Sequence, residues 1–189
     1  IPYNLKGLID TIGGKDFAEK RLDDFFTKLN ASYHQEWFAA GNEPDFQVPW
    51  IYNWTNSPYK TQALVKRIIR EQYSNKNNGL PGNDDLGAMG AWYVFANIGL
   101  YPMIPGVAGF SINSPSFSSV KIHLKNGIVE VQGGDEQLDY IQSLQINGEP
   151  FNKTWVEWDD LKNGAKVNFK LSNQPNKSWG TTSVPPSFN

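Results

Sequence analysis

Hydrophobic and polar positions divide the chain into two textures. Up to about residue 105 the apolar residues recur at helical spacing; beyond it the period falls towards two. Asn4 to Ile12 carries Leu5, Leu8, Ile9 and Ile12 on one face, and Gly13-Gly14 ends the pattern. Asp16 is the expected cap of a second helix through FAEKRLDDFFTKL, whose apolar face is Phe17, Leu22, Phe25, Phe26 and Leu29. Residues 30–56 read as an irregular, aromatic stretch. Ser57 is the expected N-cap and Pro58 the first residue of a third helix, with Leu64, Val65, Ile68, Ile69 and Tyr73 turned inwards. A turn-rich loop follows at 75–82. A fourth helix, apolar nearly all round and so expected to be buried, is predicted from Asp85 to Leu100.

From Ala108 onward the segments FSI, SVKIHL, IVEVQG, YIQSLQIN and KVNFKL alternate as half-buried antiparallel strands do, with Asn126-Gly127 and Asn147-Gly148 as hairpin turns. GTTSVPPSFN reads as a tail. The expected fold class is therefore α+β: a helical part over 1–105, a β-rich appendage over 106–180 and a tail over 181–189. Helices of alternating burial suit a ring of inner and outer helices. Four cannot close one, and IPYNLKG opens as if in mid-structure, so a piece of a longer protein is expected.

Composition narrows the function classes. The 189 residues include 7 Trp, 8 Tyr and 11 Phe, enough to build a core rather than a disordered chain. The net charge of −2 comes without basic blocks, so no nucleic-acid surface is expected. No apolar run is long enough to span a membrane. With no cysteine, disulfides and thiolate metal sites are excluded, which fits a secreted, periplasmic or cell-surface location. His34 and His123 lie in different halves and suggest no metal pair. Nucleophile elbows and phosphate-cradling loops are absent. The sequons at Asn30, Asn53, Asn152 and Asn176 are what so Asn-, Ser- and Thr-rich a chain yields by chance.

Two stretches carry candidate chemistry. In LPGNDDLGAMGAW, Asn83, Asp84 and Asp85 stand at the lip of an apolar helix. Asp and Asn are favoured caps, and a carboxylate there also suits the helix dipole. A cap needs one such group, however, and a carboxylate so placed can also orient a water or bind a metal. In AAGNEPDFQVPWIYNW, Asn42, Glu43 and Asp45 lie between prolines among aromatics such as Trp50. Aromatic rings stack on sugars, amides and carboxylates hold hydroxyls, and the same oxygens are hard ligands suited to Ca²⁺. A polar loop packed on helices by its aromatics is the plainer alternative.

In order along the chain, GNEPDFQVPWIYNW, SPYKTQALVKRII, GLPGNDDLGAMGAWYVFANIGLYP, INSPSFSSVKIHL, YIQSLQINGEPFNKTWVEWDDLKNG and PNKSWG resemble glycoside hydrolase family 92, whose members are calcium-dependent exo-α-mannosidases. The resemblance runs over essentially the whole chain. It implies the C-terminal helices of an (α/α)₆ barrel followed by β structure, with the rest of the barrel and an N-terminal β-sandwich supplied by the remainder of the polypeptide. It implies an inverting mechanism in which an acid and a base stand roughly 6.5–9.5 Å apart to admit water. Asp85 matches the base. Asn83 falls where many members have a second Asp, which puts more weight on Asp85, with Asp84 beside it. Glu43 and Asn42 match the loop near substrate and calcium, with Trp50 in the sugar wall. Ca²⁺ is implied on the mannose 2- and 3-hydroxyls, and mannosides such as N-glycans are the implied substrates. The general acid, a Glu in the family, is expected upstream of Ile1, so the isolated chain is expected to be inactive.

Two departures bear on the substrate. Tyr3-Asn4 stands where many members have His-Asp, and Asp45-Phe46-Gln47 where Ser-His-His is common. They favour, as a second enzymatic reading, a variant without the acid that cleaves mannose-1-phospho-6-mannose caps. A reading from another class is a non-catalytic carbohydrate-binding module using Trp155, Trp158 and Trp179 of the β half.

Overall fold

The computed structural model describes residues 2–32 and 34–188. Ile1 and Asn189, the ends of the expected helical part and tail, lie outside them. Helix α1 (Leu5–Ile12) and α2 (Lys15–Phe25) lead into two 3₁₀ turns, Glu43–Asp45 and Val48–Trp54. Helices α3 (Pro58–Gln72) and α4 (Ala88–Ile98) follow. Strands β1 (Leu100–Tyr101), β2 (Gly109–Ile112), β3 (Ser119–Leu124), β4 (Gly127–Gln132), β5 (Tyr140–Ile146), β6 (Glu149–Pro150) and β7 (Trp155–Glu157) come next, then the one-turn α5 (Trp158–Leu161) and β8 (Ala165–Ser172). The α+β class holds, and the described helices form no closed barrel.

The strands make two sheets, β1-β2-β7 and β3-β4-β8-β5-β6. The alternation predicted antiparallel pairing throughout, yet β4 and β8 run parallel. Period-two patterning reports which face is buried and carries no information on strand direction. Asn147 and Gly148 have φ of 53° and 87° and form a two-residue hairpin turn. The other hairpin turns one residue earlier than expected, at Lys125-Asn126, since Gly127 already pairs with Leu124.

Several helix details differ from the pattern reading, each for a local reason. Gly14, not Asp16, occupies the α2 N-cap, and Asp16 lies in the first turn. Ser57 stands at the α3 N-cap, but its hydroxyl donates to Glu19 Oε2 at 2.7 Å instead of capping. Phe17 is exposed, and so in part are Leu8 and Ile12. Helix α4 starts at Ala88, because Asp85, Leu86 and Gly87 all have positive φ, which a right-handed helix excludes. Nor is α4 buried all round. Met89, Trp92 and Ala96 are covered, while Tyr93 and Val94 face outwards.

One core fills the space among the helices and also receives Trp155; a second lies on the five-stranded sheet. The expected division near residue 105 is crossed by β1, which pairs with β2 beyond it. Helix α3 joins the two parts. Leu64, Val65 and Ile68 enter the helical core, while Gln62, Lys66 and Arg70, spaced by four, form a polar stripe toward the β part. Gln62 Oε1 accepts the Ile141 amide at 2.9 Å. Lys66 Nζ donates to Pro115 O at 2.9 Å, Ser116 Oγ at 3.0 Å and Asp135 O at 2.7 Å. Arg70 donates to both oxygens of Asp139 through its two terminal guanidinium nitrogens. The last residues return to the helices as well: Ser187 Oγ accepts from Trp54 Nε1 at 3.0 Å and Lys6 N at 3.1 Å.

Lys66 is 1% exposed and keeps its ammonium only against a desolvation cost. Burial pulls its pKa from 10.5 down to about 8, opposed by the charge of Asp139 and helped by Arg70. Above that value the folded chain has released a proton that the unfolded chain still binds, so stability rises with pH until the unfolded lysine also titrates. Burial pushes the Tyr101 phenol from 10.0 up to about 12, which has the opposite effect once unfolded tyrosines ionise. Thermal melting is thus expected to show a gain between about pH 7 and pH 9.5, worth about 2 kcal/mol, and a loss above about pH 10. In Lys66→Met the first rise should vanish. A wild-type profile that is flat or falling from pH 7 would contradict the buried charge.

Candidate active site

The candidate residues come from two loops that carry the same short pattern, Gly41-Asn42-Glu43 and Gly82-Asn83-Asp84. The loops touch at their glycines. A Cβ on Gly41 would lie 2.8 Å from Pro81 O, and one on Gly82 would lie 2.9 Å from Gly41 Cα. Only glycine allows so close a backbone approach. A second tie runs beneath it, where Trp92 Nε1 of α4 donates to Phe46 O at 2.9 Å. Met89, fully buried, packs under Gly82.

The first loop is braced from within. Asp45 Oδ2 accepts the Ala39 amide at 3.0 Å. Burial raises the Asp45 pKa, against the lowering effect of that amide and of the Asn42 side chain, which also bonds to it. Asp45 is therefore occupied in holding the loop, and so is the Asn42 side chain in part. Glu43, one residue further, is exposed.

The second loop answers whether the acidic pair caps the helix or does other work. The first amides of α4 are all provided for. Ala88 N donates to Asp85 O, Met89 N to Asp84 O, and Ala91 N to Gly87 O. Gly90 N donates to Asp84 Oδ1 at 2.8 Å. Asp84 is thus the side-chain cap, reaching back from outside the helix, and Asp85 contributes only its carbonyl. The Asp85 carboxyl is left free and turns to the other loop, where it shares a hydrogen bond with Glu43. That bond, then burial and the nearby charges of Glu43 and Asp84, raise the Asp85 pKa. The same bond, with Glu43's own backbone amide, lowers Glu43. Asn83 is exposed beside the pair.

Trp50 is a correction. It was expected in a sugar-contacting wall, but it is 0% exposed, stacked on Tyr101 at 4.0 Å and edge-on to Trp92 at 5.7 Å. Its place in the 3₁₀ turn Val48–Trp54 points it into the helical core, so here it supports the site from below and offers no face to a sugar. The binding-module reading loses its platform in the same way, because Trp155 and Trp179 are buried and Trp158 packs edge-on against Phe110. His34 and His123 are both exposed and far apart in sequence. Pattern reading missed the paired glycines, though the repeated Gly-Asn-acid motif was a signal for them. It also missed Leu86, which nothing in its spacing marks.

The arrangement can do two things chemically. An exposed carboxyl of raised pKa beside a second carboxylate can exchange a proton with a water or hydroxyl. Two carboxyls and an asparagine carbonyl are also hard oxygen donors. Among the described residues no group of three or more His, Cys, Asp or Glu is placed to hold a metal ion. A cavity of about 280 Å³ touches Gly41 and Gly82, and also Ala40, Gln72 and Pro81, but no carboxylate lines it. The acidic pair itself lies open on the surface.

From the two roles of the second loop, Asp84→Ala should cost about 1 kcal/mol by removing the partner of the Gly90 amide. Asp85→Asn should cost less than about 0.5 kcal/mol, as for an exposed residue outside any cap. Denaturant unfolding of both variants checks this; equal losses, or the reverse order, would reassign the cap.

The model of the glycosyl hydrolase family 92 catalytic domain matches residues 1–173. A protein of Arthroderma benhamiae described as an uncharacterized secreted glycosidase is 31% identical over 196 residues, which is 100% of this chain and 24% of that protein. A family 92 α-mannosidase of Bacteroides thetaiotaomicron superposes with a TM-score of 0.90 at 33% identity, covering 98% of this chain and 26% of its own. It has also been solved in complex with mannoimidazole. An inverting mannosidase of the same family and organism superposes with a TM-score of 0.87 at 26% identity, over 98% of this chain and 28% of its own. The chain thus spans about a quarter of the length of these relatives. Among the described residues no helix is long and apolar enough to cross a membrane.

Proposed function

Because this chain belongs to glycosyl hydrolase family 92, we propose that it is the base-bearing part of an inverting exo-α-mannosidase, with Asp85 as the general base. The observation that carries this is the division of labour after Gly82. Asp84 and backbone carbonyls meet every need of the α4 terminus, and Asp85 is left exposed with its carboxyl facing Glu43.

In this reading Asp85 takes a proton from the water that attacks the anomeric carbon. Contact with Glu43 is what most raises its pKa, so parting from Glu43 favours the ionised form that a base needs. Asp84 positions the base by anchoring the turn to α4. Asn83, beside it, is placed to hold the water or a sugar hydroxyl. Glu43 and Asn42 bind the sugar and contribute to a Ca²⁺ site. Their hard oxygens fit that ion, but they supply only part of a shell of six to eight ligands, so carbonyls, waters and sugar hydroxyls complete it. When bound, Ca²⁺ would supply charge to orient two sugar hydroxyls and favour a distorted ring. The general acid is assigned to a part of the polypeptide outside these residues, as are the rest of the barrel and the outer wall of the site. A location outside the cytoplasm, secreted or periplasmic, is part of this reading, and the fungal relative is described as secreted.

The test is mannose release by the full-length polypeptide carrying this chain, with Ca²⁺ and with EDTA, on α-1,2-mannobiose and on mannose-1-phospho-6-mannose. EDTA-sensitive cleavage of the first is expected. Asp85→Asn should reduce it about 10²–10⁴-fold while melting is unchanged. Cleavage of the phosphodiester alone would replace this reading with the acid-independent variant. Undiminished turnover in Asp85→Asn would remove Asp85 from the mechanism.

A further inference from the structure

Leu86 follows the assigned base, and two features of it have no account within the fold. It is 110% exposed, the most open of the large apolar residues among those described. Its φ is 58°, between Asp85 at 48° and Gly87 at 89°. A left-handed backbone costs a non-glycine residue roughly 1–2 kcal/mol, and Gly or Asn would relieve it. The turn itself is needed, because it sends the Asp85 and Asp84 carbonyls back to the α4 amides while freeing the Asp85 carboxyl. A leucine at its centre is not needed for the turn. Neither the backbone nor the described packing rewards this side chain.

Strain of this kind collects at ligand clamps, where a side chain is held for what it meets. Consecutive Cα atoms are about 3.8 Å apart, so Leu86 stands directly beside the base on the same exposed rim of the loop. In single displacement the water enters on the face opposite the leaving group, so the neighbourhood of the base is that of the retained sugar. We propose that Leu86 is a specificity-determining residue that packs on the apolar C–H surface of the sugar ring whose anomeric carbon Asp85 serves, an inference that rests on the assignment of Asp85 as base. The alternative occupant is another segment of the full-length polypeptide, and the test separates the two.

Leu86→Asn, Leu86→Gly and Leu86→Met are made in the full-length polypeptide. Each is assayed on an aryl α-mannoside and on α-mannobiose, and melted without substrate. For Asn and Gly, KM is expected to rise about tenfold or more with kcat little changed, the pattern of lost uniform binding. The rise should be the same for both substrates, because the contact is with the shared sugar. Met, which keeps an apolar side chain, should restore most of the affinity. Melting of Asn and Gly should equal or exceed wild type, since the strain is relieved. An unchanged KM overturns the inference and leaves Asp85 as base. A rise confined to α-mannobiose overturns it too, by moving the contact to the leaving group. Melting lowered by several degrees would show that Leu86 is buried against protein. A wild type that cleaves neither substrate overturns this inference together with the mannosidase reading.

Discussion

A side chain on either Gly41 or Gly82 would collide with the opposite loop's backbone, and the geometry of the candidate site follows from that contact. Two polar loops separated by about 40 residues meet at atoms that carry no side chains. The residues just beyond, Glu43 on one side and Asp85 on the other, are thereby brought within a hydrogen bond. Trp92 fixes the same juxtaposition from below by donating to Phe46 O, and Met89 fills the space between. Site and core are thus one construction: the helix that receives the second loop also supplies the anchors of the first.

Neighbouring acids of the same kind acquire different tasks because one backbone turn separates them. Helix α4 needs an acceptor beyond its first turn, and Asp84 can supply it only if the chain between turns back. Three successive residues of positive φ make that turn. Its by-product is a carboxyl with no structural obligation, set beside a second carboxylate and open to solvent. Mutual contact then moves the two pKa values apart, as when paired carboxylates divide acid and base roles. The local strain is sustained by the packing of α4, whose Trp92 and Ala96 are almost wholly buried.

The helical and β parts depend on each other through α3. Its polar stripe could have faced water, but it instead meets carbonyls and a carboxylate of the β part, with Lys66 enclosed completely enough to lose much of its basicity. An enclosed lysine is an expensive joint, and it tolerates only geometries in which all its acceptors are present. It therefore specifies the docking of the two parts more sharply than apolar packing would. Trp155 also ties the two parts together, since it sits in β7 and its side chain belongs to the helical core.

Helix periodicity, the strand alternation and the Asn147-Gly148 turn were legible because each depends on residues near one another in sequence. The acidic lip of α4 and the aromatic loop were legible as candidates for the same reason, and the ordered motifs pointed to the family that the chain belongs to. Tertiary structure decided the rest. Pattern cannot tell a tryptophan aimed at a sugar from one aimed at the core, so Trp50 was misplaced. Nor can it show that β4 and β8 run parallel, since alternation is the same in either direction. Between Asp84 and Asp85 the sequence by itself could not choose: both are acids at a helix start, and only the three-dimensional path of the turn shows which oxygen the helix amides receive. Local preferences set the elements and their candidate groups. The assignment of work among those groups waits on long-range contacts, because a hydrogen bond's partner is a matter of where the chain returns.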